Sequence, residues 1–420
     1  MNSQRTIPFS ELRDQLEPEP AKGLRVAGLF AGIGGLELGL QRARAGHEAV
    51  LLCEVEPSAQ EVLRTRFPHV RLHGDVTTLD RLPEETTLLT AGFPCQDFSQ
   101  AGKTAGVQSL LKDGKAARSA GLRSGLVGQV FRLLEANPID WVLLENVPFM
   151  LRLGRGRALS LVVDALEELG YAWCYRVVDA QAFGRPQRRK RVYLLASRVA
   201  DPRAVLLADE AGPTEASPWT FGRSFGFYWT EGTRGLGAAL EGVPTLKGGS
   251  GLGIPSPPAI LMPDGAIVTP DIRDAERLQG FPTNWTKAAE EVSKRGARWK
   301  MVGNAVSVDV ARWIGRRLAK PGNYVGEGAA AIKPGTPWPN VAWSMGAGRF
   351  TSDLSAWPVR KEPQPIDEFL RYSPKLLSPR ATAGFLKRAR KGSLRFPEGF
   401  LDAVEAHLES VQPAPELSSA

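Results

Sequence analysis

Ala91-Gly92-Phe93-Pro94-Cys95-Gln96 places a cysteine just beyond an apolar strand. Gly92 and Pro94 fix a tight turn at the ligand-facing edge of a sheet and hold the Cys95 sulfur out of the core. A thiolate there serves as a nucleophile once a neighbour lowers its pKa. Cys53 and Cys174 lie inside apolar runs and read as packing residues. A second edge, Leu143-Leu144-Glu145-Asn146-Val147-Pro148, ends a central strand on a carboxylate. Buried, Glu145 has a raised pKa and donates a proton; in solvent it is an ordinary strand end. Gln187-Arg188-Arg189-Lys190-Arg191 carries four cations in five residues before a strand, which fits either a solvated charge run or a phosphate contact. The glycine loop Ala31-Gly32-Ile33-Gly34-Gly35 offers backbone N–H groups and a helix N-terminus to an anionic or polar ligand group. It has neither the GxGxxG spacing nor a following Gly-Lys-Ser/Thr, which disfavours nicotinamide dinucleotides and ATP. Glu54, 19 residues beyond Gly35, ends the second strand, where a carboxylate accepts from two ribose hydroxyls. Asp75, after another turn, can accept from an adenine amine; the alternative for both acids is a strand end in solvent.

Short apolar runs must position these residues. Strands are predicted at Leu24 to Phe30, Ala49 to Cys53, Thr87 to Thr90, Trp141 to Leu144, Tyr171 to Val178 and Arg191 to Ala196. Helices are predicted after Gly35, from Pro57 to about Arg66, near Ser124 to Ala136 and near Ala158 to Leu169. This alternation implies an α/β fold with a mostly parallel sheet covered on both faces. Residues 211 to 262 are rich in Gly, Pro, Ser and Trp without long periodic segments. Helical periodicity returns at Pro270 to Gln279, with Thr269 as cap, and from about Asn304 to Leu318. The expected organisation is an arm (1–22), a catalytic domain (23–200), a short irregular region (201–268), a return to the catalytic domain (269–320) and a C-terminal extension (321–420). Residues 371 to 400 hold eight Lys and Arg against the single acid Glu398.

The 420 residues are 43% hydrophobic and 23% charged, which excludes wholesale disorder. No apolar run reaches the roughly 18 residues of a membrane span and the N-terminus is polar, so a cytoplasmic location is expected. Three widely spaced cysteines make neither a disulfide framework nor a CxxC pair, and no metal site is expected. The formal charge of +8 favours a polyanionic partner.

Taken in order, these segments resemble the DNA (cytosine-5)-methyltransferase family. Phe30-Ala31-Gly32-Ile33-Gly34-Gly35 is similar to its first motif, Glu54 to its second and Asp75 to its third. Gly92-Phe93-Pro94-Cys95-Gln96 resembles the catalytic Pro-Cys motif, Glu145-Asn146-Val147 the Glu-Asn-Val motif, and Gln187 through Tyr193 the basic eighth motif. Arg277-Leu278-Gln279-Gly280-Phe281-Pro282 and Gly303-Asn304-Ala305-Val306 resemble the last two. The likeness covers about residues 24–200 and 243–318.

The resemblance implies a Rossmann-like S-adenosylmethionine-dependent sheet plus a small irregular target-recognition region. It also implies methyl transfer from S-adenosylmethionine to C5 of a flipped-out cytosine in double-stranded DNA, in a restriction-modification system with a cognate endonuclease. Cys95, with Pro94 beside it, would add to C6 of the base. A protonated Glu145 would relieve charge at N3, Arg191 would hold the O2 edge or a phosphate, and Asn146 would shape the pocket. Carried over to the cofactor are Phe30, Gly32, Gly34, Glu54, Asp75, Pro94, Asn304 and Val306. Gln187, Arg188, Arg189 and Arg191 are carried over to nucleic acid. The glycine- and lysine-rich loop after Cys95 is expected to be a mobile lid over the flipped base. Ala305 stands where many members have Ser.

Only about 50 residues separate Tyr193 from Val243, fewer than a full reading domain needs, and the basic run from Arg371 to Arg395 is expected to supply part of the DNA contact. The alternatives are a transfer-RNA cytosine-5 methyltransferase, a non-catalytic DNA-binding relative and a Rossmann-type oxidoreductase. The glycine spacing and the setting of Cys95 disfavour the last. The intact set of Cys95, Glu145 and Arg191 disfavours an inert relative, while the aromatics around Trp229 and the C-terminal extension lean towards DNA.

Overall fold

The computed structural model describes residues 23–94, 125–213, 218–220, 222–233, 235–249, 256–293, 296–326, 328–333 and 335–412. The N-terminal arm, Cys95 and the expected lid lie outside them. The chain divides into two compact units. The first holds the residues up to Ala182, Lys190–Pro213 and Ala305–Arg360; the second holds Phe183–Arg189, the stretch from Thr214 to Asn304, and the chain from Lys361 on. The cuts differ from the sequence boundaries near 201, 269 and 321, and the expected C-terminal extension is shared between the units.

The first unit opens with β1 (Arg25–Leu29), the glycine loop and α1 (Gly35–Ala43), followed by β2 (Glu48–Cys53), α2 (Pro57–Arg66), β3 (Arg71–His73) and β4 (Leu88–Ala91). Next come α3 (Leu126–Ala136), β5 (Trp141–Asn146), α4 (Arg157–Glu168), β6 (Ala172–Asp179), β7 (Lys190–Ser197) and the short α5 (Arg203–Leu206). Strands β4 and β6 are buried at every residue, so neither shows the alternation of a half-exposed strand, and β6 takes Arg176 and Asp179 inside with its apolar residues. The chain then enters the second unit with β8 (Phe225–Phe227), β9 (Ala239–Leu240), β10 (Ala259–Leu261), β11 (Ile267–Thr269), α6 (Ile272–Leu278) and α7 (Gly296–Asn304). It returns to the first unit with α8 (Val308–Ala319), β12 (Ala330–Ala331), β13 (Val341–Ser344) and β14 (Arg349–Thr351). Finally α9 (Ile366–Phe369), β15 (Lys375–Leu376), α10 (Pro379–Lys391) and α11 (Phe400–Val411) complete the second.

The first sheet has ten strands in the order β12-β14-β13-β6-β7-β5-β4-β1-β2-β3. It is parallel from β3 to β5 and antiparallel from β5 to β12, which corrects the expectation of a mostly parallel sheet. The reason is local: the link from Asp179 to Lys190 is too short for a helical crossover of a dozen or more residues, so β7 must return antiparallel. The strand order reverses between β1 and β4, the position at which doubly wound sheets bind ligands. Helix α8 closes this unit against α1. A Cβ on Gly39 would lie 2.6 Å from the Val308 carbonyl oxygen, and one on Gly315 would lie 2.7 Å from the Ala43 Cβ. Only glycine admits so close an approach of two helices.

The second unit is built on a five-stranded sheet, β15-β11-β10-β8-β9, of two- and three-residue strands too short to leave a periodic signal. Phe225 and Phe227, grouped in the sequence with a DNA-facing aromatic segment, are buried in its core, and the Trp229 Nε1–H donates to the Pro257 carbonyl at 2.9 Å. Helix α6 is capped by Asp271, which accepts from the Arg273 amide at 2.8 Å, rather than by Thr269. The helix predicted from about Asn304 to Leu318 is α8, which starts four residues later at Val308, and the unpredicted α7 ends at Asn304 just before it.

Candidate active site at the sheet switch point

Strands β1, β4 and β5 end side by side at one edge of the first sheet. After β1 the chain enters the left-handed region at Phe30 (φ 52°), Gly32 (φ 55°) and Gly34 (φ 77°). The amides of this loop are used within the fold, Ala31 N–H donating to the Cys53 carbonyl at 3.1 Å and Gly34 N–H to the Ala31 carbonyl at 2.8 Å, so they are not the ligand donors expected from the sequence. Glu54, at the end of β2, clasps it: Oε2 accepts from the Gly32 amide at 2.8 Å and Oε1 from the Glu56 amide at 2.9 Å. Gln60 Nε2 donates to the Glu54 carbonyl at 2.7 Å. A Cβ at Gly34 would run into the Phe67 ring, whereas one at Gly32 would meet no atom within 4 Å among the described residues beyond its chain neighbours. The space beside Gly32 is thus open, although its backbone is ordered by Glu54. Asp75 accepts from the Thr77 amide at 2.8 Å, and that bond holds its pKa below the usual carboxylate range.

After β4 come Gly92, buried Phe93 and exposed Pro94. Asn146 locks this turn to β5, its Nδ2 donating to the Phe93 carbonyl at 3.0 Å while its Oδ1 accepts from the Val147 amide at 2.9 Å. Glu145, 8% exposed, points to the same edge, and a Cβ on Gly92 would sit 3.5 Å from its Oε2. Antiparallel pairing puts Val192 opposite Asn146, so Arg191 falls just beyond the end of β5. There its Nε lies 3.1 Å from Glu145 Oε1, with both side chains largely buried. The edge therefore joins a carboxylate, a guanidinium and the Gly92-Phe93-Pro94 turn, after which the sequence continues to Cys95.

The basic segment divides in a way its sequence does not show. Gln187 is fully buried, donating to the Leu278 carbonyl at 3.0 Å and accepting from the Leu246 amide at 3.1 Å. Arg189 is 1% exposed and donates to the carbonyls of Leu246 (3.0 Å) and Gly303 (3.2 Å). For these two, internal bonds replace the phosphate contact expected from the sequence, because an Arg whose donors are directed at carbonyls is tolerated inside. Arg188 and Lys190 remain exposed. Asn304 is exposed at the end of α7, and a Cβ on Gly248 would run into its side chain. Val306 is half-buried in the link to α8, two residues before Val308.

Cys53 and Cys174 are buried; burial pushes the Cys53 thiol up to about 12 and raises that of Cys174, as befits packing residues. Two features escaped the sequence reading. Val55, next to Glu54, is 68% exposed, an apolar residue at the ligand edge whose signal was its place just past a strand end. Beneath the edge, Glu37 of α1 is 2% exposed and accepts from Thr90 Oγ1 at 2.8 Å, with its Oε2 unpartnered. Burial raises its pKa. The sequence marks it only as an acid in a first turn.

A glycine loop, a strand-end acid and a paired carboxylate at the switch point define a doubly wound α/β enzyme. The family model for C-5 cytosine-specific DNA methylase matches residues 24–216 and 271–320. The type II methyltransferase M2.BsuMI of Bacillus subtilis (strain 168) is 45% identical over 395 residues, 91% of this chain and 97% of that protein. The type II methyltransferase M.NgoBV of Neisseria gonorrhoeae is 33% identical over 214 residues, 46% of this chain and 48% of that one. The crystal structure of S. pombe Dnmt2 methyltransferase aligns with 70% of this chain and 98% of that chain at a TM-score of 0.48 and 17% identity. The chain belongs to the C-5 cytosine-specific DNA methylase family, and its reaction is methylation of DNA cytosine at C5.

Proposed function

We propose that this chain methylates one cytosine within a short duplex DNA sequence as the modification half of a type II restriction-modification system, with S-adenosylmethionine as donor, a covalent Cys95 intermediate and a cognate endonuclease for the same site. It does so in the cytoplasm, where the DNA is. The observation that carries the reading is the Glu145–Arg191 pair, at 3.1 Å, beside the Gly92-Phe93-Pro94 turn that leads to Cys95.

The residues of the glycine loop fit the donor. Gly32 leaves open space where any side chain would stand, and Glu54 and Asp75 present carboxylates beyond β2 and β3 for ribose and adenine. Phe30 and the exposed Val55 supply apolar surface, Gly34 shapes the turn, and Asn304 and Val306 come from the last motif. Bound there, S-adenosylmethionine supplies an electrophilic methyl group to a carbon nucleophile.

The base must leave the stack to expose C6, at a cost of a few kcal/mol. The Cys95 thiolate adds to C6, and the electron pair moves towards N3 and C5. Glu145 donates a proton at N3, and Arg191 holds the Glu145 carboxyl in place and offers N–H groups to the O2 edge. Asn146 keeps Phe93, two residues before Cys95 in the sequence, against β5. Loss of the C5 proton to a base and of the thiolate, with the N3 proton returned to Glu145, restores the ring and the acid.

Bisulfite sequencing of plasmid DNA from cells expressing this chain, beside Cys95→Ser, tests the reading. Protection at one short motif, lost in the variant, is expected. Unprotected DNA together with methylated transfer RNA from the same cells would move the substrate to RNA, and protection that survives Cys95→Ser would refute the covalent step.

A further inference from the structure

We infer that residues 361–412 are the second half of the DNA-reading unit, and that the outward stripe Arg380, Lys387, Lys391 and Arg395 is its phosphate-binding face for duplex DNA. The inference rests on the DNA reading proposed above. The family model leaves residues 217–270 and 321–420 unmatched, and most of the second unit is made from them.

One core joins the two segments. Phe225, Phe227, Ala259, Leu261 and Ile267 pack with Leu377, Phe385, Leu386 and Ala389 around α10, and with Phe400, Ala403 and Val404 of α11. The Phe227 ring centroid lies 5.0 Å from that of Phe385 and 5.1 Å from that of Phe400. About 50 residues of two- and three-residue strands cannot bury such a core alone. Polar bonds add register. Strand β15 pairs with β11, Arg388 donates to the carbonyls of Trp229 (2.7 Å) and Glu231 (3.1 Å), and Arg277 of α6 donates to the Phe369 carbonyl at 2.7 Å. Buried Asp274 accepts from the amides of Arg371 and Tyr372. The C-terminal segment is thereby fixed to the helix that bears Arg277-Leu278-Gln279.

The cations of α10 then sort by role. Arg388 is used inside and Arg390 pairs with Glu405 at 2.7 Å. Arg380, Lys387, Lys391 and, just past the helix, Arg395 are exposed and have no ion pair among the described residues. Positions 380, 387 and 391 are spaced i, i+7, i+11, within about 20° of one helical line. Between them lie Ala383 and Gly384, small residues over which a phosphate backbone can approach. Helix α11 presents Asp402 and Glu409 to solvent instead, so the positive stripe runs along α10 and the residues just after it and does not extend onto α11. Three unpaired cations on one line of a helix, with a fourth just past its end, are what a register-setting phosphate contact requires.

The test compares Arg380→Gln/Lys387→Gln/Lys391→Gln/Arg395→Gln with a control of equal charge change in the first unit, Arg71→Gln/Arg81→Gln/Arg316→Gln/Lys320→Gln. The probe is a 30-base-pair duplex carrying the site mapped by bisulfite sequencing, with Kd measured across a salt series. Each lost phosphate contact lowers the salt slope by about 0.9, so the α10 variant should lose about 2 to 4 from its slope and at least about tenfold in affinity at 0.1 M salt. S-adenosylmethionine affinity and the near-UV circular dichroism should stay at wild-type values. The control should change the slope by less than about one. A wild-type slope in the α10 variant, or an equal fall in the control, overturns the inference. No DNA binding by the wild-type protein overturns the DNA reading itself, an outcome distinct from either.

Discussion

Replacing Gly32 by alanine separates the role of this residue in folding from its role in binding. At φ 55° an alanine costs about 1–2 kcal/mol in the left-handed region, partly offset by about 0.4–1 kcal/mol of lost freedom in the unfolded chain. Among the described residues no atom beyond the chain neighbours lies within 4 Å of the added methyl, so no packing penalty comes from them. Gly170, between α4 and β6, is a matched control: it has φ 79°, and its Cβ would also meet nothing within 4 Å. Both variants should therefore lose about 1 kcal/mol in urea unfolding. Their ligand binding should diverge. At Gly32 the methyl occupies the space assigned to the cofactor, and an overlap of about 1–3 kcal/mol weakens S-adenosylmethionine by about 5- to 150-fold in titration calorimetry. Gly170→Ala should bind like wild type. Equal affinity of Gly32→Ala and Gly170→Ala would refute the assignment of the open space, whatever the stabilities.

A double-mutant cycle on Glu145→Gln and Arg191→Met should give a coupling of roughly 1–3 kcal/mol in urea unfolding, between the values for exposed and fully buried pairs. A coupling below about 0.5 kcal/mol would show the pair to be solvent-screened. Glu37 has a raised folded pKa through burial against an ordinary value of 4.5, so the native state binds its proton more tightly than the unfolded chain. Stability is then full below pH 4.5 and declines as pH rises from there through the folded value. Glu37→Gln should remove that decline, which matching pH profiles of the urea midpoint in variant and wild type would contradict. Gly39→Ala should cost about 1–3 kcal/mol through the Ala311 methyl and the Val308 carbonyl, and Ala311→Gly should recover only part of it. Complete recovery in thermal unfolding would exclude the backbone contact.

Much of the site was legible because its residues sit at strand ends. An apolar run followed by Gly-Phe-Pro or Glu-Asn-Val marks an edge whatever the strand's neighbours, and β1, β2, β4 and β5 lie within one to two residues of the predicted runs. The direction of β7 was also within reach. A ten-residue link from Asp179 to Lys190 holds no crossover helix, and weighing loop length would have turned the mostly parallel sheet into a mixed one. The fates of Gln187 and Arg189 were not legible. Five consecutive residues of similar polarity give no clue to which will find carbonyls at Leu246, Gly303 and Leu278, since those acceptors come from segments 57 to 114 residues away.

The sequence by itself determined the chemistry available at each strand end, the glycine positions of the first loop and the family, because these depend on local residue types and order. Only the tertiary structure decided which ends meet. Antiparallel return set Arg191 on Glu145 across 46 residues of sequence, and the glycine at position 32 proved open while that at 34 proved packed. It also decided that the short strands after Pro218 share a core with helices that start more than 100 residues later. The physical reason is the same in each case. Strand pairing and core burial are long-range, and two- or three-residue strands gain their stability from partners rather than from any pattern of their own.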